Sequence, residues 1–324
     1  MGPRYFGRRL LSAIVTIVLI VLVNFILFRL MPGSPERALL RNPHVSAEVL
    51  AAKREAWGLD KPLFPDQLVA YVTSTVQGDL GYSIYYQGQT VTDVLGSHFW
   101  PTIILFGVGE VIAAVIGLGL GAYTGWKRGG PVDLVGNGAS LILYSMPYFV
   151  IGMLLLVVFA SALGWFPASG MLTLGASYSS PIDQVLDFLG HFTLPLTTVA
   201  IGLVGQYSIL MRSSVIDTLG EDYITTARAK GLRDGGILRA HALPNAMLPA
   251  VTLVAINLGY VVAGAITVEV VFNWPGLGSL TVDALTARDY PLLQGSFLLL
   301  SVTVVIANLL ADLLYGYLDP RVRA

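Results

Sequence analysis

The sequence predicts an all-α integral membrane protein with six transmembrane helices, and three observations carry that prediction. Of 324 residues, 55% are apolar and only 12% are charged, about half the charge density of an ordinary soluble domain. The mean hydropathy is +0.71. Six stretches reach the roughly 20 apolar residues that a helix needs to cross about 30 Å of hydrocarbon. A helix satisfies its own backbone hydrogen bonds where no water is available, so helix is the economical reading of each stretch. The net charge of −1 leaves no basic footprint for nucleic acid. The absence of cysteine excludes a disulfide framework, a thiol nucleophile and a thiolate metal site.

The first apolar stretch runs from Leu10 to Leu30 and is uncharged until Arg29. Arg4, Arg8 and Arg9 precede it, as they would a secretory signal, but the run is too long and no small-residue cleavage site follows. Residues 1–30 are therefore expected to be a cytoplasmic N-terminus and an uncleaved first span. Residues 31–98 hold much of the remaining charge and read as a small extracytoplasmic subdomain. Ser46 can cap a helix that Gly58 stops, and the spacing of Leu68, Val69, Val72 and Val76 predicts a second amphipathic helix ending at Gly78. Two uses are open for this unit: a docking or vestibule element, or a brace for the spans.

The transmembrane core is expected over residues 99–314, with further spans at Phe99–Tyr123, Leu134–Leu163, Phe192–Met211, Leu248–Val271 and Leu292–Leu314, and a cytoplasmic tail at 315–324. Lys and Arg resist translocation and so mark inner loops. Lys127, Arg128, Arg212, Arg228, Lys230, Arg233 and Arg239 fall in alternate connections, whereas the intervening ones, Gly164 to His191 and Phe272 to Pro291, contain only Arg288. Both termini are thereby assigned to the cytoplasm.

Few residues could carry chemistry. Counted along its span, Glu110 lies near mid-depth, Glu269 near an outer end and Asp312 near an inner end. An intramembrane acid faces protein or water, so Glu110 either lines a pathway or fixes helix register. Gly117, Gly121 and Gly125 form one stripe on the second span that lets another backbone approach, either a neighbour in the chain or a partner subunit. The four histidines have no metal-ligand spacing, and no phosphate loop, nucleophile elbow or zincin motif is present. Nucleotide energy would have to enter through another chain.

The inner connection at 212–247 is too long and too rich in helix formers for a plain turn. Glu221 and Asp222 suit a helix N-terminus; Arg228 and Lys230 stand beside a terminating Gly231. Ile224, Ala227 and Leu232 make a narrow apolar stripe. A short helix across the inner face is predicted, then a turn at Asp234-Gly-Gly236 and a second short helix to Leu243.

This segment resembles the inner loop of ABC importer permeases, whose signature is E-A-A-x-x-x-G followed by L-P. The matching residues are Thr225, Thr226, Ala227, Gly231, Leu243 and Pro244. Thr225 and Thr226 depart from the general pattern, and His241 stands where isoleucine is common, but Thr-Ala-Arg-Ala-Lys-Gly-Leu is how the dipeptide/oligopeptide/nickel branch looks. Other blocks resemble the B-type permeases of that branch: Arg29-Leu-Met-Pro-Gly33, Trp57-Gly-Leu-Asp-Lys-Pro62, Gly78-Asp-Leu-Gly-Tyr-Ser83, Ser145-Met-Pro-Tyr148, Trp165-Phe-Pro-Ala-Ser-Gly170, Phe272-Asn-Trp-Pro-Gly-Leu-Gly278, Arg288-Asp-Tyr-Pro291 and Asp319-Pro-Arg321.

The resemblance implies a type I importer fold and a non-catalytic permease subunit forming half of a pathway in the plasma membrane. It implies a homologous second permease, two cytoplasmic ATPase subunits carrying ATP and Mg, and an extracytoplasmic solute-binding protein, with no cofactor on this chain. Glu221, Asp222, Tyr223, Ala227, Arg228, Ala229, Lys230, Gly231, Leu232, Leu243 and Pro244 would form the ATPase-coupling surface. Peptides are the implied cargo, with nickel or glutathione as alternatives. An ion-coupled secondary transporter using Glu110 as a relay is a competing class, which the patterned inner loop and the lack of an inverted hydropathy repeat disfavour.

Overall fold

A computed structural model describes residues 3–30, 61–260 and 266–318, and every regular element among the described residues is a helix. Helix α1, Pro3–Leu30, packs along the last helix and leaves most of its apolar surface outward. Toward its C-terminal end, Phe25 is fully buried against the rings of Phe64 and Tyr71, 5.9 and 5.5 Å away between centroids. Tyr71 belongs to α2, Leu68–Val76, and Gly78 follows with φ +76°, so the second predicted outer helix is present. The first, from Ser46 to Gly58, lies outside the described residues.

Helix α3, Val91–Trp126, starts eight residues before the expected Phe99 because Thr90 caps it, its hydroxyl accepting from the Asp93 amide. The third expected span, Leu134–Leu163, is not one helix. It is α4, Pro131–Ser145, and α5, Tyr148–Leu155 continued by π-helical turns to Ala162, bent by 100°. The cause is Pro147: it supplies no amide and drives Met146 to an extended conformation, ψ 127°. Apolar content alone could not show that break. Among the described residues, five helices are long and apolar enough to cross a membrane, six with this bent pair as one span.

Helix α6, Pro181–Leu219, is the centre of the bundle and packs on α3, α4, α5 and the fifth span. Its C-terminal end leads through Gly220 into α7, Asp222–Ala229. Next, Asp234–Ile237, Leu238–Ala242 and Leu243–Tyr260 run on as one helix, α8, so Gly235 and Gly236 lie in its first turn rather than in a turn before it. The expected second short helix is thus the start of the fifth span itself.

Helices α9, Ile266–Val271, and α10, Leu277–Ala287, precede the last span, α11, Tyr290–Leu318. Nothing in the apolar pattern announced α10. Arg9 of α1 pairs with Asp312 of α11 at 2.9 Å, which puts the two ends of the bundle's chain on one side.

The seam between α3 and α6 explains the glycine stripe. A Cβ on Gly117 would stand 2.6 Å from Tyr207 Cβ and 2.7 Å from the Val204 carbonyl, and one on Gly125 2.9 Å from the Arg212 carbonyl. Gly109 and Gly121 are closed in the same way by Val199 and Ser208. The stripe is therefore an intrachain contact, with α6 backbone lying against α3 backbone.

Candidate coupling site

Helix α7 is held from both its ends and from beneath. Its C-terminus is a left-handed cap: Gly231 has φ +78°, its amide donates to the Arg228 carbonyl at 2.9 Å, and the Leu232 amide donates to the Ala227 carbonyl at 3.3 Å. At the N-terminus, Glu221 occupies the cap position in extended conformation but makes no side-chain cap bond. Asp222 supplies the first-turn acid and Arg228 the last-turn base, the arrangement a helix dipole favours.

Beneath, Ile224 and Ala227 are buried against Ile237 and Ala242 of α8, with Leu219 and Leu238 around them. Leu232, expected on that stripe, is instead 46% exposed, because the chain turns away at Gly231. The outer face of α7 presents Glu221, Asp222, Thr225, Thr226, Arg228 and Ala229 to solvent, with Lys230 and Gly231 following. Tyr223 is 40% exposed, yet its hydroxyl accepts from Asn245 Nδ2 at 2.9 Å, a tie from α7 to α8. Leu243 and Pro244 are not on this exposed face of α7 but in α8, where Leu243 packs toward Met211 and Val215 of α6. The geometry makes a short rigid knob with a mixed-charge surface, seated on the start of the fifth span.

Glu110 is nearly fully buried in α3 and accepts a hydrogen bond from the Tyr207 hydroxyl of α6. Asn257 of α8 donates to the Tyr207 oxygen at 2.9 Å and to Gln206 at 3.3 Å. The carboxylate thus belongs to a polar cluster shared by three spans. Asp133 receives two bonds from the Arg212 guanidinium, at 2.6 and 2.9 Å, and one from the Gly129 amide. Arg212 therefore clamps α6 to the first turn of α4, and Asp133 ties the preceding turn to the same point.

Sequence reasoning missed two outer clusters, although the blocks that build them were visible. Glu269, fully buried, accepts from the Thr102 hydroxyl at 2.6 Å and the Ser279 amide at 2.9 Å, while the Trp274 indole donates to the Pro101 carbonyl. A Cβ on Gly276 would fall on the Glu269 carboxylate, and one on Gly278 would stand 2.6 Å from Ile266 Cα and 3.0 Å from the same carboxylate. Asp289, also fully buried, accepts from the Ser83 hydroxyl and from the amides of Ile84 and Tyr85 at 2.8 and 2.9 Å. In the first turns of α6, Asp187 reaches back to the preceding loop and accepts from Thr173 and from the Tyr178 hydroxyl at 2.6 Å, which pushes the Tyr178 phenol up from its ordinary range. Leu174 stands at that loop's tip, almost completely exposed. No group of three or more potential metal ligands occurs among the described residues.

Comparison with known proteins agrees with this architecture. Residues 117–324 match the family described as the binding-protein-dependent transport system inner membrane component, and residues 3–105 match the N-terminal unit of such membrane components. A protein of Brucella suis biovar 1 assigned as a peptide permease is 40% identical over 323 residues, 99% of each chain. The glutathione transport system permease protein GsiC of Salmonella typhimurium is 37% identical over 320 residues, 98% of each. Among solved structures, the inward-facing MetNI methionine ABC transporter aligns with a TM-score of 0.54 over 70% of this chain and 96% of that one, at 17% identity. An amino acid ABC transporter aligns with a TM-score of 0.52 over 70% and 94%, at 16% identity. These two likenesses speak for the fold, which is that of type I importer permeases. By sequence over nearly its whole length, and by fold over its core, the chain belongs to the inner-membrane permeases of binding-protein-dependent ABC transport systems, in the branch that holds these peptide and glutathione permeases.

Proposed function

We propose that this chain is the permease subunit of an ATP-driven importer of di- or oligopeptides, forming half of the pathway and taking its motion from a cytoplasmic ATPase through α7. The observation that carries the coupling role is the seat of α7. Ile224 and Ala227 fix it to α8, while its other face is exposed and chemically varied. A short helix seated in this way can enter a cleft on another protein and pass displacement to α8 through its packed face. On this reading the chain is non-catalytic. ATP and Mg belong to two partner ATPase subunits, a homologous second permease completes the pathway, and an extracytoplasmic solute-binding protein delivers cargo. Both termini, Lys127, Arg128 and α7 would face the cytoplasm, in line with the distribution of basic residues.

Glutathione is the second reading of the cargo, favoured by the GsiC relatives at 37% identity. Both cargoes are short peptides, so one experiment separates them. The complete transporter is reconstituted in liposomes, and uptake of a radiolabelled dipeptide and of glutathione is followed with and without ATP. The coupling role is tested by Gly231→Arg, which puts a large side chain at φ +78° on the exposed rim. Uptake is expected to fall at least tenfold in complexes that still assemble. Wild-type uptake and substrate-stimulated ATP hydrolysis in that variant would refute it, and uptake driven by an ion gradient without ATP would favour a secondary transporter.

A further inference from the structure

Two hydrogen-bonding asparagines on α8 have no place in the family signature, and they join the coupling helix to the buried acid. We propose that Asn245 and Asn257 are positioning residues that make α8 a transmission rod, so that movement of α7 remakes or breaks the tie between α8 and the Glu110–Tyr207 pair; this rests on the reading of α7 as the ATPase-coupling element.

At the inner end, Asn245 Nδ2 donates to the Tyr223 hydroxyl and to the His241 carbonyl, each at 2.9 Å. The second bond holds the amide in place along its own helix, and the first reaches α7. At the other end, Asn257 Nδ2 donates to Tyr207 at 2.9 Å. The tyrosine has one hydroxyl proton and gives it to Glu110, so its oxygen is left to accept from Asn257. Tyr207 thus donates to Glu110 and accepts from Asn257, whose side-chain amide also lies within hydrogen-bonding reach of the Glu110 carboxylate.

Twelve residues separate the asparagines, about 18 Å along the axis and about 120° around it. One amide meets α7 while the other meets α6 and, through it, α3. Displacement or rotation of α8 with α7 therefore cannot leave the Asn257 bond untouched. The boundary that yields is set by packing. Glycines lock α3 to α6, whereas α8 rests on α6 through Ala246 and Ala250, small side chains buried against Met211 and Val215.

The test uses the complete transporter in liposomes and measures radiolabelled di- or tripeptide, glutathione included, taken up per ATP hydrolysed. Tyr223→Phe and Tyr207→Phe each remove one hydroxyl and keep the ring. Each is expected to lower the uptake-to-hydrolysis ratio at least threefold in complexes of normal yield, a readout that loss of stability alone would not move. Because the two bonds end one linkage, the double variant is expected to be no worse than the poorer single. Asn257→Leu replaces Tyr207→Phe if the latter fails to assemble. Unchanged ratios in both single variants, or losses that multiply in the double, would overturn the rod while leaving the importer reading intact. No ATP-driven uptake by the wild-type complex would overturn both.

Discussion

At the scale of single residues, the chain repeatedly uses glycine where a carboxylate or a backbone must come close. Gly121 faces the Ser208 carbonyl and the Met211 side chain, while Gly119, two residues away, has nothing within 4 Å of a built Cβ. Overpacking of this kind costs about 1–3 kcal/mol. Gly121→Ala is expected to lower the thermal unfolding temperature of the detergent-purified complex by several degrees, and Gly119→Ala to leave it unchanged. Equal shifts in the two variants would contradict the seam. The sequence displayed three members of the stripe, but the choice between a neighbour and a partner subunit depended on which helix lies opposite. No pattern within one helix contains that information. Leu232 was misplaced for a similar reason: one residue in left-handed conformation at Gly231 sends it out of the stripe its spacing suggested.

At the scale of elements, buried carboxylates hold irregular segments to helix ends. Asp289 supports the 83–86 loop from the start of α11, and its own amide donates to the Ala284 carbonyl at 2.8 Å. Asp289→Ala would leave a buried hydroxyl and two loop amides without their acceptor, each loss on the order of 1–3 kcal/mol. The expected outcome is a loop between 77 and 90 that is cut by protease added to the outer face much faster than in the wild type, while α7 keeps its resistance from the inner face. Two pairs of sequence blocks meet in this way. Ser83 of Gly78–Ser83 binds Asp289 of Arg288–Pro291, and the Gly170 amide of Trp165–Gly170 donates to the Phe272 carbonyl of Phe272–Gly278 at 2.9 Å. Each block was legible as a block. Their pairing across 100 or 200 residues was not, because short-range spacing carries no record of long-range contact.

At the scale of the whole molecule, topology follows from one contact and many charges. The Arg9–Asp312 pair places both ends of the bundle on one side, yet its two side chains are 41% and 39% exposed, so its own worth is about 0–1 kcal/mol. Arg9→Ala is expected to leave assembly and stability within that margin, as read by complex yield and unfolding temperature. Since the chain has no cysteine, single cysteines report sidedness without background. Cysteine in place of Arg128 or Arg228 is expected to react with an impermeant thiol reagent only from the cytoplasmic side, and in place of Leu174 or Arg288 only from outside; any reversal would overturn the orientation. The sequence by itself determined that the chain lives in a bilayer, roughly where its long apolar helices lie, where the short helix α7 begins and stops, and which family the chain belongs to, because hydropathy, capping and motif spacing are local properties. Only the tertiary structure decided that the third span breaks at Pro147 into two helices bent by 100°, that the glycine stripe serves α6, and that Glu110, Glu269 and Asp289 are each enclosed by partners from distant segments. A buried carboxylate is stabilised by donors the chain brings from elsewhere, and folding alone sets which donors arrive.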